Sequence, residues 1–94
     1  MYMRTVTFKI DPASIPQFIA DGQPLKERAQ AMPGMITQYI GLSDDGTVLS
    51  VAIWESEAAA NAAMPTVKTL WGALARHMRS EPQYTVYGTA EKVL

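Results

Sequence analysis

Residues 2–10, YMRTVTFKI, alternate along the chain. Tyr2, Arg4, Val6, Phe8 and Ile10 fall on one face, and Met3, Thr5, Thr7 and Lys9 on the other. The period of two and the β-branched and aromatic types predict a strand. DPAS, residues 11–14, reads as a turn with a helix start, where Asp11 or Ser14 can cap. Then Ile15, Phe18, Ile19, Gly22, Leu25, Ala29 and Met32 share one helical stripe. Pro24 interrupts it and Gly22 weakens it, yet the phase survives the break, which predicts a kinked helix or two stacked pieces. Pro33-Gly34 punctuates. MITQYIGL, 35–42, predicts a second strand, and SDDGT a hairpin turn with the favoured Asp-Gly pair. Residues 47–54 predict a third strand, with Leu49, Val51 and Ile53 opposite Val48, Ser50, Ala52 and Trp54. Ser56 is a good N-cap, and Glu57 suits the positive end of the helix dipole. The second helix carries Ala59, Ala63, Val67, Leu70, Trp71, Leu74 and Met78 on its apolar side, with Pro65 kinking or dividing it. RSEP ends it, and QYTVYGTA, 83–90, predicts a fourth strand.

The predicted order is β-α-β-β-α-β, the ferredoxin-like split βαβ of the α+β class. Right-handed crossovers put both kinked helices on one face of a four-stranded antiparallel sheet. A sheet face that met only water would alternate more strictly than these strands do. The helix-free face is therefore expected to be covered by a second copy, and a twofold homodimer is the economical solution.

Composition narrows this picture. The 94 residues make one domain, 1–94, with 48% hydrophobic residues and a net charge of −1. A chain of this length buries about 60–65% of its unfolded surface, a marginal fraction for a monomer. The basic residues form no stripe, so nucleic acid is not an expected partner. There is no cysteine. Disulfides, thiolate metal sites and a cysteine nucleophile are thereby excluded, and a reducing cytoplasm is the expected compartment. The opening MYMRTVTFKID lacks the pattern of a signal peptide, and no apolar run approaches the ~20 residues of a membrane span. With one histidine and acids only in adjacent pairs such as Asp44-Asp45, no metal site is expected. GxSxG and phosphate-binding glycine loops are both missing.

Three stretches carry a resemblance: AMPGM, SDDGTVLSVAIWESEAAANAA, and a helix followed by EPQYTVYG. The sequence resembles the antibiotic biosynthesis monooxygenase-like proteins of the dimeric α/β-barrel superfamily. The resemblance spans nearly the whole chain and is most specific from Pro33 to Ala63. It implies a homodimer whose sheets pack face to face, with a pocket between sheet and helices in each subunit. It also implies oxygenation of an aromatic or polyketide-like compound without metal, flavin or other cofactor. In that scheme the substrate loses a proton and its carbanion reacts with oxygen in a dry pocket. Trp54 matches the family's pocket tryptophan, and its indole N–H can donate to a substrate carbonyl or enolate. The asparagine some members carry falls on Ser50 and the tyrosine on Ala60, two departures. A related branch degrades haem through a first-strand asparagine and a tryptophan and histidine on the second helix. Here Trp71 and His77 lie six residues apart, about 240° around a straight helix, and strand one offers no asparagine.

The candidate site follows from both readings. Trp54 and His77 are the catalytic candidates, the latter because its ordinary pKa suits proton transfer near neutral pH. Ser50, Tyr39, Trp71 and Phe18 are the substrate-binding candidates. Each also has a plain structural role to weigh. Trp54 closes a strand end, Trp71 and Phe18 sit on apolar stripes, Tyr39 is an ordinary strand residue, and His77 suits a helix C-terminus. Two functions compete: a cofactor-independent monooxygenase, and a non-catalytic dimeric domain that binds a small aromatic or apolar ligand or serves in interaction. Haem degradation stands third.

Overall fold

The computed structural model describes residues 1–94. Four strands, β1 (Tyr2–Lys9), β2 (Met35–Leu42), β3 (Thr47–Trp54) and β4 (Gln83–Tyr87), form one antiparallel sheet in the order β2-β3-β1-β4. Two helical segments cross one face. The first is α1 (Ile15–Gly22) and α2 (Lys26–Gln30), joined by a 3-10 turn at Gln23–Leu25. The second is α3 (Glu57–Ala62) and α4 (Met64–Gly72), followed by a 3-10 turn at Ala75–His77. The element order is the expected ferredoxin-like βαββαβ.

Local chemistry sets these boundaries. Pro24 and Pro65 cannot donate to a helix ladder, and each falls in the first turn of a new helical piece. Both expected helices are thus divided. Ser56 caps α3, its Oγ accepting from the Ala59 amide at 3.1 Å. At the first helical start Asp11 accepts from the Ala13 amide, whereas Ser14 makes no side-chain cap. The β2–β3 turn closes with the Gly46 amide donating to the Ser43 carbonyl at 2.9 Å, and Gly46 takes a positive φ of 88°. Gly34 takes a positive φ of 82° just before β2. Its carbonyl accepts from the Glu55 amide at 2.8 Å, which ties the entry of β2 to the exit of β3.

Two expectations need correction. The fourth strand ends at Tyr87, not at residue 90, because only Gln83–Tyr87 find partners on β1. Ile19 is exposed although it belongs to the α1 stripe: it lies about 100° round the helix from Phe18, which takes the central buried position.

The helix-covered face holds two apolar clusters. One gathers Val6, Phe8, Ile10, Phe18, Val48, Trp71 and Leu74, and the other Tyr2, Met32, Ala52, Trp54, Ala60 and Ala63. Between them, register places Arg4 of β1, Ser50 of β3 and Gln38 of β2 on the same inward face. A polar seam therefore crosses the sheet between two halves of the core. The opposite face carries no helix. Register puts Met3, Tyr39, Leu49, Val51, Ile53 and Tyr87 there, with Tyr39, Leu49 and Tyr87 exposed. No helix is long and apolar enough to cross a membrane.

Candidate functional site

The seam is where the interior is not filled. A cavity of about 40 Å³ lies between the sheet and α4, lined by Arg4, Gln38, Ser50, Trp54, Leu70 and Trp71 among others. It adjoins a cleft of about 570 Å³ between the segment Gly22–Gln30, the edge strand β2 and the end of α4. Met35, Gln38, Leu70 and Trp71 border both spaces. The cleft has the size of small-molecule pockets, ~300–1,000 Å³. The inner cavity has room for a few water molecules or one polar group.

Each wall has a cause in the sequence. Trp54 is the last residue of β3, pairs with Tyr2 and Met35, and is 1% exposed. Its ring packs in the second core cluster, yet its Nε1–H is buried with no acceptor. A buried donor left without a partner costs about 1–3 kcal/mol. Ser50 is buried on the same strand face, and its Oγ accepts from Gln38 Nε2 at 2.9 Å. Gln38 owes its orientation to an irregularity. A register shift between Met35 and Thr37 inserts one extra residue in β2, so both Met35 and Gln38 face the helices.

Arg4 brings the charge. Its Nη2 donates to Tyr2 Oη at 3.2 Å and to Asn61 Oδ1 at 3.1 Å, and its Nη1 to the Ala60 carbonyl at 3.5 Å. Nη1 also lies 2.7 Å from Met64 Sδ. The guanidinium carbon stands 5.5 Å from the Tyr2 ring centroid. No carboxylate pairs with it; the ion pairs of the chain are Lys9–Asp45, Arg76–Asp21 and His77–Asp21.

Of the candidates read from the sequence, the structure brings Trp54, Ser50 and Trp71 to the cavity. His77 and Phe18 need correction, and Tyr39 reaches only the rim of the cleft. His77 lines neither space. It is buried in the 3-10 turn after α4, with Nε2 2.7 Å from Asp21 Oδ2 and its ring edge-on to Phe18 at 5.8 Å. Asp21 also accepts from Gln17 Nε2 at 2.7 Å and from Arg76 Nη2. The His77 hydrogen bond, followed by those from Gln17 and Arg76, holds the Asp21 carboxyl well below the ordinary carboxylate range. This cluster fastens α1 to the end of the second helical segment. Phe18 packs in the first core cluster against Phe8, with centroids 6.1 Å apart, and does not line the cavity or the cleft. Tyr39 borders the cleft through its edge-strand position, but its pairing with Val51 puts its side chain on the helix-free face, 74% exposed.

Arg4 and Gln38 were not among the sequence candidates. Arg4 could have been: it is the one charged residue in the inward set Tyr2, Arg4, Val6, Phe8, Ile10. Gln38 could not, because the register shift that turns it inward leaves no local mark. No group of three or more histidine, aspartate or glutamate side chains is placed to hold a metal ion.

No protein-family model matches the sequence, and no curated protein matches it. Solved structures do. A monooxygenase from the gene ActVA-Orf6 of Streptomyces coelicolor, in complex with the ligand nanaomycin D, superposes with a TM-score of 0.77 and 26% identity. That alignment covers 99% of this chain and 90% of the other. An antibiotic biosynthesis monooxygenase superposes with a TM-score of 0.77 at 17% identity, over 97% of this chain and 100% of the other. A conserved protein from Methanosarcina mazei Go1 gives 0.79 at 15% identity, over 96% and 94%. Across nearly its full length the chain has the fold of the antibiotic biosynthesis monooxygenase structures, the ferredoxin-like unit of the dimeric α/β barrel.

Proposed function

We propose that this chain is a cofactor-independent monooxygenase that binds an aromatic or polyketide-like molecule in the cleft and presents its reacting oxygen to the inner cavity. The observation that carries this reading is the Trp54 indole: a buried N–H without an acceptor, at the wall of a cavity that adjoins a ligand-sized cleft. A substrate carbonyl that becomes an enolate gains negative charge on its oxygen. A donor already in place, in a site of low polarity, stabilises that charge more than it stabilises the neutral ketone. The substrate carbanion then adds molecular oxygen. For a methylene flanked by aromatic rings, one oxygen atom becomes the new carbonyl and the other leaves as water. The aromatic ligand bound by the Streptomyces coelicolor structure supports the substrate class.

The unit of function is a homodimer joined through the helix-free face, whose exposed Tyr39, Leu49 and Tyr87 would otherwise meet water. A second reading, ligand binding without turnover, is favoured by one observation. Among the residues lining the inner cavity, Arg4 is the one ionisable side chain, so no protein base stands beside Trp54.

Oxygen uptake by metal-free protein with an anthrone separates the two. The monooxygenase reading expects uptake that falls at least tenfold in Trp54→Phe, the usual scale for an oxyanion donor being ~10²–10³. Saturable binding of the anthrone with no uptake above the spontaneous rate overturns it in favour of the binding domain.

A further inference from the structure

The seam is rich in donors and short of negative charge. Arg4 offers a cation whose acceptors, Tyr2, Asn61, Ala60 and the Met64 thioether, are all neutral. Gln38 presents an amide, and Trp54 an N–H with no acceptor. The Arg4 guanidinium is half-buried, with its Asn61 contact at the surface and its other contacts partly buried, and a carboxylate is the usual partner for such a cation. Here none is within ion-pair distance, and no acid lines the inner cavity. The two adjoining spaces also differ in size and character. The inner one holds a polar group but no ring system. The outer one has the volume for a ring system and apolar walls at Leu25, Ala29, Ile40, Leu70, Trp71 and Leu74.

From this we infer that the ligand of the site is an amphiphilic organic acid. Its anionic oxygen head, a carboxylate or an ionised phenol, sits in the inner cavity against Arg4, and its apolar ring system fills the outer cleft. The inference rests on the pocket reading above and adds the charge of the ligand and the residue that selects it. Arg4 suits the role because its charge stays fixed at any physiological pH and its Nε–H has no acceptor among the contacts that occupy the two Nη groups. Its contacts to Tyr2 and Asn61 hold the guanidinium in place before the ligand arrives, which lowers the ordering cost of binding.

The test compares 2-naphthoate with its methyl ester, two molecules with the same rings, one anionic and the other neutral. Both tryptophans of the chain line the cavity, so intrinsic fluorescence reads occupancy directly. The expected result is that wild type binds the acid about tenfold more tightly than the ester, the scale of one charge-assisted hydrogen bond. Arg4→Lys should keep most of that preference. Arg4→Met should lose it, so that acid and ester bind about equally, with an unchanged far-ultraviolet spectrum. Arg4→Gln, which can still donate to Tyr2 and Asn61, is the second neutral variant in case Arg4→Met does not fold, and it should lose the preference too. Equal affinity of wild type for acid and ester, or a preference that survives in the neutral variants, overturns the anion assignment and leaves the pocket reading standing. No saturable quench by either probe overturns the pocket reading, and the anion assignment with it.

Discussion

Trp54 is the largest of the side chains almost wholly withdrawn from solvent, and it is also the one with an unanswered hydrogen-bond donor. The two facts pull apart under substitution. Trp54→Ala removes a ring from the core and should cost about 3–5 kcal/mol in urea unfolding. Trp54→Phe keeps most of the ring and removes the orphan N–H. Relief of about 1–3 kcal/mol offsets the lost packing, so its unfolding midpoint should stay near wild type while ligand binding weakens. A midpoint drop as large as that of the alanine variant would mean the N–H has a partner in solution. Gly34 is the second decisive position. Its positive φ is unfavourable for an L-residue, and a Cβ there would collide with the Ala59 side chain. Gly34→Ala should therefore destabilise by about 2 kcal/mol or more, seen as a lower urea midpoint with an unchanged m-value. At this scale the sequence spoke unevenly. Trp54 and Ser50 were legible because strict alternation in β3 fixes which side chains point inward. Arg4 is equally legible from the alternation of β1, but a charge among apolar residues has no evident role until a cavity lies beside it. Gln38 was illegible: its orientation depends on one extra residue in β2 that only pairing with β3 reveals.

Among the elements, the prolines wrote the helix breaks plainly, while nothing in the sequence announced that α1 and the turn after α4 are pinned to each other. That fastening runs through Asp21, which gathers His77, Arg76 and Gln17 from both segments. Because its folded-state pKa is depressed, Asp21 contributes stability at neutral pH. The contribution is lost as pH falls below the ordinary carboxylate value of 3.8 toward the lower folded value. Asp21→Asn should be less stable than wild type at pH 7, and the gap should narrow between pH ~4 and ~2, measured by thermal unfolding across that range. A gap that stays constant would show that the carboxylate's charge is not what holds the segments together. Asp45, held low by Thr47, Lys9 and Ser43 in the β2–β3 turn, adds a separate acid-sensitive contact. In wild type the two losses coincide, and only the first disappears in the variant. The fourth strand shows the reverse limit of pattern reading. YTVYG continues to look like strand past Tyr87, but a strand lasts only as long as its partner, and the β1 positions paired with β4 end at Met3.

For the whole molecule, the pattern that failed to alternate in strands one to three was the most informative signal. It leads to the expectation of a covered helix-free face, and the structure places Leu49, Val51, Ile53 and Tyr39 together there. A homodimer through this face predicts twice the chain mass in sedimentation at micromolar concentration and a melting temperature that rises with protein concentration. Leu49→Lys, which puts a charge in the apolar helix-free face, should shift the species to monomer and abolish that concentration dependence. A wild-type monomer would leave the face unexplained. The split of the other face into two core halves has its own consequence. A protein under selection for cohesion alone would erase the polar seam, since apolar side chains at those positions join the halves without changing the fold. Arg4→Leu, Gln38→Leu and Ser50→Val together should raise the urea midpoint. The same change should silence the protein towards naphthoate. In this molecule robustness and usefulness compete for the same three residues.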